Sequence, residues 1–239
     1  MKVDILAITA HPDDVELSCC GTLLHQIALG KTVGLVDLTR GELGTRGTPE
    51  IREAEAMAAA QKMEASIRVN LGMPDGFFTH SRENLLKVVR VIRQYQPEIV
   101  LANAVHDRHP DHGKAAKLIS EACFLAGLAK VRTLDNEGLP HQRWRPKAIY
   151  HMIQDYTLEP DFVVDISPYI DKKMELILTF RSQFFDPSSG ELDSPISGQD
   201  FLEYIRHRAR IFGRPAGMEF AEGFTVQRTI GVKDLFDLV

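Results

Sequence analysis

Residues 3–30 read VDILAITAHPDDVELSCCGTLLHQIALG, and this stretch contains the two kinds of element that decide the fold. The apolar run at residues 3–9 includes β-branched residues and predicts a short buried strand. Apolar residues at helical spacing follow from Val15 to Ile27, and Gly30 is a typical helix stop. The stretch therefore predicts a strand followed directly by a helix over residues 14–30.

The same alternation continues along the rest of the chain. Further strands are predicted at residues 32–39, 66–72, 97–104, 147–153 and 161–167. Further helices are predicted at residues 48–64, 82–96, 114–129, 168–182 and 199–212. This alternation indicates an α/β fold, here a three-layer α/β/α Rossmann-like domain with a mostly parallel sheet. We expect residues 1–239 to form a single domain, with a loop rich in Ser and Pro at residues 184–198.

The composition limits the classes of partner that the chain can bind. It has 239 residues, of which 44% are hydrophobic and 26% charged, and a formal net charge of −5. We therefore expect a globular protein without the overall basic field that attracts nucleic acid or an anionic membrane. The chain has no apolar run of about 18 residues and no signal-peptide pattern. Cys19, Cys20 and Cys123 are interpreted as buried thiols of a cytoplasmic protein.

Two polar clusters follow strands one and four of the predicted sheet. The first is AHPDD at residues 10–14, and the second is HDRHPDH at residues 106–112. In a Rossmann-like strand order these two strands are neighbours, and ligands bind beyond their C-terminal ends. We therefore expect both clusters to face one crevice at that edge of the sheet.

The residue types in the clusters suit a catalytic metal site. A catalytic zinc ion takes three protein ligands and leaves one position for water. His11 and Asp14, three residues apart across a strand-to-helix turn, can contact one ion, and a histidine of the second cluster completes the set. His109 and His112 share a helix face if Pro110 opens a helix, so the spacing leaves the choice between them open.

The remaining side chains of the clusters suit hydrolysis of an amide or ester. Asp13 is left without a role as a ligand, and it can take a proton from the attacking water. One of the remaining histidines can stabilise the oxyanion or protonate the leaving group. Asp111 is suited to orient an imidazole ring.

Two other classes of protein explain fewer of these residues. Two histidines and a carboxylate also form the facial triad of non-haem iron(II) oxygenases, but those enzymes usually have an all-β fold. Redox chemistry would also leave Asp13 without a task. A Rossmann-type nucleotide-binding module would have a glycine-rich fingerprint after strand one, where this chain has AHPDD. Carboxylates at the start of the following helix would repel a phosphate.

AHPDD at residues 10–14 and HPDH at residues 109–112 resemble the paired motifs of the LmbE / N-acetylglucosaminyl-phosphatidylinositol deacetylase family of zinc-dependent enzymes. The resemblance extends through TRGELGTRG, REAE, LGMPDG and FRSQF, and the chain looks most like the bacillithiol-biosynthesis branch. It implies a hydrolase that removes the N-acetyl group from an N-acetylglucosaminyl conjugate, here N-acetylglucosaminyl-malate. Another N-acetylglucosaminyl conjugate or a chitooligosaccharide is the alternative substrate. The resemblance also implies a homo-oligomer, a trimer or hexamer, and a mobile active-site loop at residues 184–198.

The resemblance further implies roles for individual residues. The implied ligands of Zn²⁺ are His11, Asp14 and His112. Two histidines and one aspartate also accept Fe²⁺, so the residues leave the metal open. Asp13 would be the general base, and His109, supported by Asp111, the general acid or oxyanion stabiliser. The residues expected near the substrate are Arg52, Glu42 and Asp75.

One segment departs from the family pattern. Some relatives have a tyrosine shortly before the HPDH histidine, whereas this chain has Asp107 and Arg108 there. The oxyanion would then depend on His109 or another group. His106 is an additional histidine that we interpret as a surface residue. A catalytically inactive family member is a further alternative, against which the intact motif residues argue.

Overall fold

Within residues 1–186 and 190–238, which the computed structural model describes, seven strands form one sheet with helices on both faces. The strands are β1 (Ile5–Thr9), β2 (Val33–Thr39), β3 (Ile67–Met73), β4 (Ile99–Ala102), β5 (Ala148–Met152), β6 (Phe162–Asp165) and β7 (Ala221–Val226). The α-helices are α1 (Asp14–Ser18), α2 (Cys20–Ala28), α3 (Pro49–Met63), α4 (Arg82–Tyr95), α5 (Pro110–Ala126), α6 (Ile170–Ile177) and α7 (Gln199–Gly213). Short 3₁₀ turns cover Ser167–Tyr169, Arg214–Ala216 and Leu235–Leu238.

The strand order confirms the predicted α/β fold. The order is β3-β2-β1-β4-β5-β7-β6. β1 pairs in parallel with both β2 and β4, and β7 runs antiparallel to β5 and β6. The order reverses between β1 and β4, which is where a crevice opens in sheets of this kind. The loops after β1 and β4 are therefore neighbours, as the sequence predicts.

The sheet is buried because helices cover both of its faces. Every residue of β1 and β2 is buried, as expected for central parallel strands. Successive side chains of β1 point to opposite faces. Leu6 and Ile8 belong to the core under α4 and α5, whereas Ile5 and Ala7 belong to the core under α1 and α2.

The predicted helix at residues 14–30 is two helices, and the break falls at Cys19. The carboxylate of Glu222, from β7, accepts hydrogen bonds from the backbone N–H groups of Gly21 (3.0 Å) and Thr22 (2.7 Å). It thereby satisfies the first turn of α2, where helical N–H groups have no intrahelical partner. Lys173 donates to the same carboxylate at 2.7 Å. Glu222 and Lys173 lie far along the chain from α2. The spacing of apolar residues within residues 14–30 therefore predicts one continuous helix where the structure has two.

Other elements also differ from the prediction. β7 is absent from the predicted set, and its Gly223 and Glu222 interrupt the apolar alternation that marks a strand. α5 begins at Pro110 rather than at residue 114, and α6 is shorter than the predicted helix at residues 168–182.

Two interpretations drawn from the composition, on the cysteines and on membrane-spanning segments, can be compared with the structure. The three cysteines are free and buried, as predicted. No helix in the described part of the chain has the length and apolar character needed to cross a membrane. The segment at residues 184–198 includes residues 187–189, which lie outside the described residues, so its mobility stays a prediction.

Candidate active site

A cavity of about 460 Å³ lies at the C-terminal ends of β1 and β4. Both polar clusters line it, through His11, Asp13, Asp14, Asp107, Arg108, His109 and His112. Arg52 and Asp75 are also among its lining residues. The structure therefore brings the two sequence motifs to one site.

The turn after β1 separates two adjacent carboxylates. Asp13 has φ 122° and ψ −21°, a conformation that residues with a side chain rarely adopt. Pro12 fixes its own φ immediately before it. As a result Asp13 contacts Arg52 (Oδ2 to Nη2, 3.1 Å), whereas Asp14 contacts His112 (Oδ1 to Nε2, 3.1 Å).

Two histidines each direct one ring nitrogen to Asp14 and the other to a second carboxylate. His11 Nδ1 lies 3.5 Å from Asp14 Oδ2, and its Nε2 lies 3.0 Å from Asp75 Oδ1. His112 Nε2 faces Asp14, and its Nδ1 lies 2.6 Å from Asp107 Oδ2. An ionised carboxylate only accepts, so the Asp75 and Asp107 contacts place protons on His11 Nε2 and His112 Nδ1. The nitrogens that face Asp14, His11 Nδ1 and His112 Nε2, also carry protons, because the neighbouring carboxylates raise the pKa of both histidines, that of His112 to about 9. A bound metal ion would take the place of these two protons.

These three side chains fit a divalent metal ion. Two imidazole nitrogens and one carboxylate lie together in a buried site, and this donor set suits zinc or iron once the ring nitrogens that face Asp14 release their protons. Burial alone would raise the pKa of Asp14, but the charges and hydrogen bonds of His112 and His11 hold it well below its usual range. The carboxylate is therefore ionised, as a ligand must be.

His109 is within reach of the same position but presents a different atom. One ring nitrogen from each of His11, His109 and His112 lies within 4.8 Å of the other two. His109 Nδ1 accepts a hydrogen bond from the backbone N–H of Asp111 at 3.3 Å. Burial, with the nearby charges of His11 and His112, lowers the pKa of His109 to about 4. A neutral His109 therefore carries its proton on Nε2, which makes that atom a donor rather than a ligand.

Asp13 has the properties of a general base. Burial raises its pKa to about 7, while the charge of Arg52 opposes that rise. Arg52 also donates to the backbone carbonyls of Gly41 (2.9 Å) and Pro12 (3.0 Å), which fixes its guanidinium against the turn. Arg52 thus binds protein groups and holds the Asp13 carboxylate.

Two residues lie elsewhere than the sequence prediction placed them. The Asp111 carboxylate lies 3.5 Å from His11 Nε2 and 2.5 Å from Lys114 Nζ, so it faces His11 and not His109. Its contact with His109 is made through the backbone instead. Glu42 is exposed and accepts a hydrogen bond from the backbone N–H of Asp75 at 2.8 Å. Glu42 therefore supports the Asp75 turn and is not among the described residues that line the cavity.

The site includes residues that sequence reasoning missed. Asn103 and Gln154 each donate to Asp14 at 3.0 Å, one amide to each carboxylate oxygen. Asn103 also accepts from the backbone N–H of Ala10 at 2.8 Å, which ties the end of β1 to the end of β4. The sequence feature that could have identified Asn103 is its position, as an amide side chain directly after a buried strand. Arg208 of α7 also lines the cavity, and nothing in its local sequence marks it.

The segment that departs from the family pattern has its own partners. Asp107 accepts from His112, and Arg108 pairs with Asp155. Neither side chain is therefore available to replace the tyrosine hydroxyl of some relatives as a hydrogen-bond donor to the oxyanion. His106 is exposed, with its ring 5.3 Å from that of Tyr156, as expected for a surface residue.

Comparison with known proteins gives matches over most of the chain. Residues 6–123 match the family model described as PIG-L, GlcNAc-PI de-N-acetylase. The diacetylchitobiose deacetylase of Thermococcus kodakarensis is 29% identical, over 92% of this chain and 81% of that protein. A conserved protein of Thermus thermophilus has a crystal structure with a TM-score of 0.84 and 35% identity, covering 97% of this chain and 98% of that one.

Two further relatives differ in their reactions. A probable N-acetyl-α-D-glucosaminyl L-malate deacetylase of Bacillus anthracis is 23% identical, over 75% of this chain and 81% of that protein. The 4-oxalmesaconate hydratase of Pseudomonas putida is 25% identical, over 74% of this chain and 73% of that protein.

Proposed function

Because the chain belongs to the PIG-L family of de-N-acetylases and is a hydrolytic N-deacetylase of GlcNAc-type conjugates, we propose that it uses zinc to deacetylate N-acetylglucosaminyl-malate. The observation that supports this proposal is that the adjacent residues Asp13 and Asp14 contact different partners. Asp14 faces one ring nitrogen from each of two histidines, whereas Asp13 faces Arg52 and is left free to act as an acid or base.

His11, Asp14 and His112 would hold the metal. A bound zinc ion polarises the acetyl carbonyl and lowers the pKa of water beside it. Asp75 and Asp107 fix the ring orientation of the two histidines, and Asn103 and Gln154 fix the aspartate. Such partners hold the donor atoms in place before the metal arrives.

Asp13 moves the proton. Its Oδ2 accepts from Arg52, which leaves Oδ1 to take a proton from the attacking water. A pKa of about 7 keeps a large fraction of the carboxylate ionised near neutral pH and still allows it to release the proton. Asp13 then delivers that proton to the departing nitrogen as the carbon–nitrogen bond breaks. The products are acetate and the free amine of the sugar.

His109 stabilises the charge that develops on the acetyl oxygen. Its neutral ring presents Nε2–H to the cavity, since Nδ1 is occupied by the backbone of Asp111. A hydrogen bond to the oxyanion would fill the role that a tyrosine has in some relatives. The low pKa of His109 favours this role over that of a protonated general acid.

The remaining parts of the proposal concern the metal, compartment and assembly. Zinc is proposed over Fe²⁺ because Asp13 has an acid–base task and no redox partner is needed. The free buried thiols support a cytoplasmic location. A homo-oligomer, a trimer or hexamer, is supported by exposed apolar side chains such as Phe124, Phe77 and Phe236.

The experiment compares three substrates with zinc-loaded protein. Acetate release is measured from N-acetylglucosaminyl-malate, from an N-acetylglucosaminyl inositol conjugate and from diacetylchitobiose. We expect the highest kcat/KM for the malate conjugate. A higher value for diacetylchitobiose would replace the proposed substrate with the alternative. No acetate from any of the three, with zinc bound, would contradict the proposed activity.

A further inference from the structure

Arg208 is a buried cation at the wall of the active-site cavity, and it has no ion-pair partner among the described residues. It is 8% exposed, and its guanidinium donates to the backbone carbonyls of Gln154 and Leu17, the latter at 2.9 Å. A buried charge is costly unless an opposite charge accompanies it. Burial lowers the pKa of Arg208, and the more distant charges of Asp155, Glu222 and Asp107 oppose that shift only in part.

The other arginines that line this cavity in the described part of the chain do have acidic partners. Arg46 lies 3.8 Å from Glu191, Arg52 lies 3.1 Å from Asp13, and Arg108 pairs with Asp155. Arg208 is therefore the exception among them. A guanidinium has five N–H donors, and the two carbonyl contacts leave donors for a ligand.

The position of Arg208 is close to the catalytic residues. Leu17 belongs to α1, which begins at Asp14, and Gln154 donates to Asp14 through its side chain. Arg208 holds the backbone of both residues, so it borders the same part of the cavity as the proposed metal ligands. In an N-acetylglucosaminyl conjugate the acetamide and the aglycone are attached to adjacent ring carbons. An acetyl group placed at the metal ligands therefore keeps the first atoms of the aglycone within the cavity that Arg208 lines.

We propose that Arg208 binds a carboxylate on the aglycone and thereby determines specificity for anionic N-acetylglucosaminyl conjugates. This inference rests on the proposed deacetylase function. The planar guanidinium suits a carboxylate, which accepts parallel hydrogen bonds from its N–H groups. A neutral aglycone would leave the buried arginine without an ion-pair partner. The aglycone charge, rather than its size, is then the feature that the site selects.

The test uses two substrates that differ only in charge. They are the carboxymethyl and carbamoylmethyl glycosides of N-acetylglucosamine, which carry a carboxylate and an amide of nearly equal shape. The kcat/KM ratio of carboxylate to amide substrate is measured for zinc-loaded wild type, Arg208→Met and Arg208→Lys. Arg206→Met is the matched control, because Arg206 lies on the same helix and pairs with Asp171 at the surface. Thermal unfolding of each variant accompanies the kinetics.

We expect the wild type to prefer the carboxylate substrate and Arg208→Met to lower the ratio about 10- to 100-fold, the range for hydrogen bonds to charged groups. Arg208→Lys should restore part of the ratio, and Arg206→Met should leave it unchanged. An equal loss on both substrates would show that Arg208 only supports the fold, and it would overturn the inference while leaving the deacetylase function intact. If Arg208→Met does not fold, the neutral variant Arg208→Gln takes its place, and a wild-type ratio for that variant overturns the inference. No acetate release from either substrate by the wild type would overturn both proposals.

Discussion

Asp107 Oδ2 lies 2.6 Å from His112 Nδ1, and this contact determines which nitrogen of His112 can bind a metal. The other oxygen of Asp107 accepts from the backbone N–H groups of Asp155 and Tyr156, each at 2.8 Å, so the carboxylate is fixed on both sides. The pKa of Asp107 is lowered to about 2, because its hydrogen bonds outweigh the effect of burial. It remains ionised and keeps the proton of His112 on Nδ1.

We predict that Asp107→Asn weakens zinc binding about 10- to 100-fold, because the amide no longer fixes the tautomer of His112. A competition titration with a chelating dye measures the Kd. Asp171→Asn, a change at an exposed position of α6, is the control and should leave the Kd unchanged. A Kd for Asp107→Asn within about twofold of wild type would contradict the orienting role.

His109→Ala should separate metal binding from catalysis. We expect this variant to bind one equivalent of zinc nearly as well as wild type, because its Nε2 carries a proton. Its kcat should fall about 10²- to 10³-fold, as for removal of one oxyanion donor. His112→Ala should instead lose zinc. Loss of zinc from His109→Ala, measured by metal analysis after dialysis, would assign the third ligand to His109.

Arg52→Met should change the pH dependence of the reaction. Arg52 opposes the burial that raises the pKa of Asp13, so its removal raises that pKa further. The base must be ionised, and the acid limb of the kcat/KM profile should therefore move to higher pH by about one unit or more. Arg52→Lys keeps the charge and should return the limb towards its wild-type position. A drop in kcat/KM that is the same at every pH would contradict this role.

Arg68→Leu should destabilise the fold in a pH-dependent way. Arg68 donates to Asp37 at 2.9 Å and to Glu16 at 2.7 Å, and all three side chains are buried. Removal of one partner from a buried ion pair costs about 3–5 kcal/mol of unfolding free energy. Burial already raises the pKa of Glu16, and loss of the cation raises it further.

A carboxyl group whose pKa is higher in the folded than in the unfolded protein destabilises the fold as the pH rises from the unfolded-state pKa to the folded-state pKa. The unfolding free energy lost in Arg68→Leu should therefore be smaller at pH 5 than at pH 7.5, as measured by urea unfolding. Arg206→Leu, at the surface of α7, should change it little at either pH. An equal loss at both pH values would mean that the buried carboxylates do not set the cost.

The fold and the location of the site could be predicted because both depend on local pattern. Strand and helix periods predict the alternating elements, and the reversal of a Rossmann-like strand order brings the ends of β1 and β4 together. The polar residues after those strands then meet without further information. His11, Asp13, Asp14, His109 and His112 accordingly line one cavity.

The partners of those residues could not be predicted, because they depend on contacts across the fold. Asp111 contacts His11 although it follows His109 by only two residues, since the start of α5 turns its carboxylate towards Gly76 and His11. The break between α1 and α2 depends on Glu222, which arrives from the last strand. Arg208 likewise reaches the cavity from α7, and no local pattern indicates its contact with Leu17.

The central claim is that Asp13 acts as the base while its neighbour Asp14 binds the metal. The direct test is acetate release from N-acetylglucosaminyl-malate by Asp13→Asn and wild-type protein, each shown by metal analysis to contain one equivalent of zinc. We predict equal zinc content and a kcat for Asp13→Asn that is about 10²- to 10⁴-fold lower, the contribution expected of a general base. Acetate release by zinc-loaded Asp13→Asn at a rate near that of wild type would contradict the account.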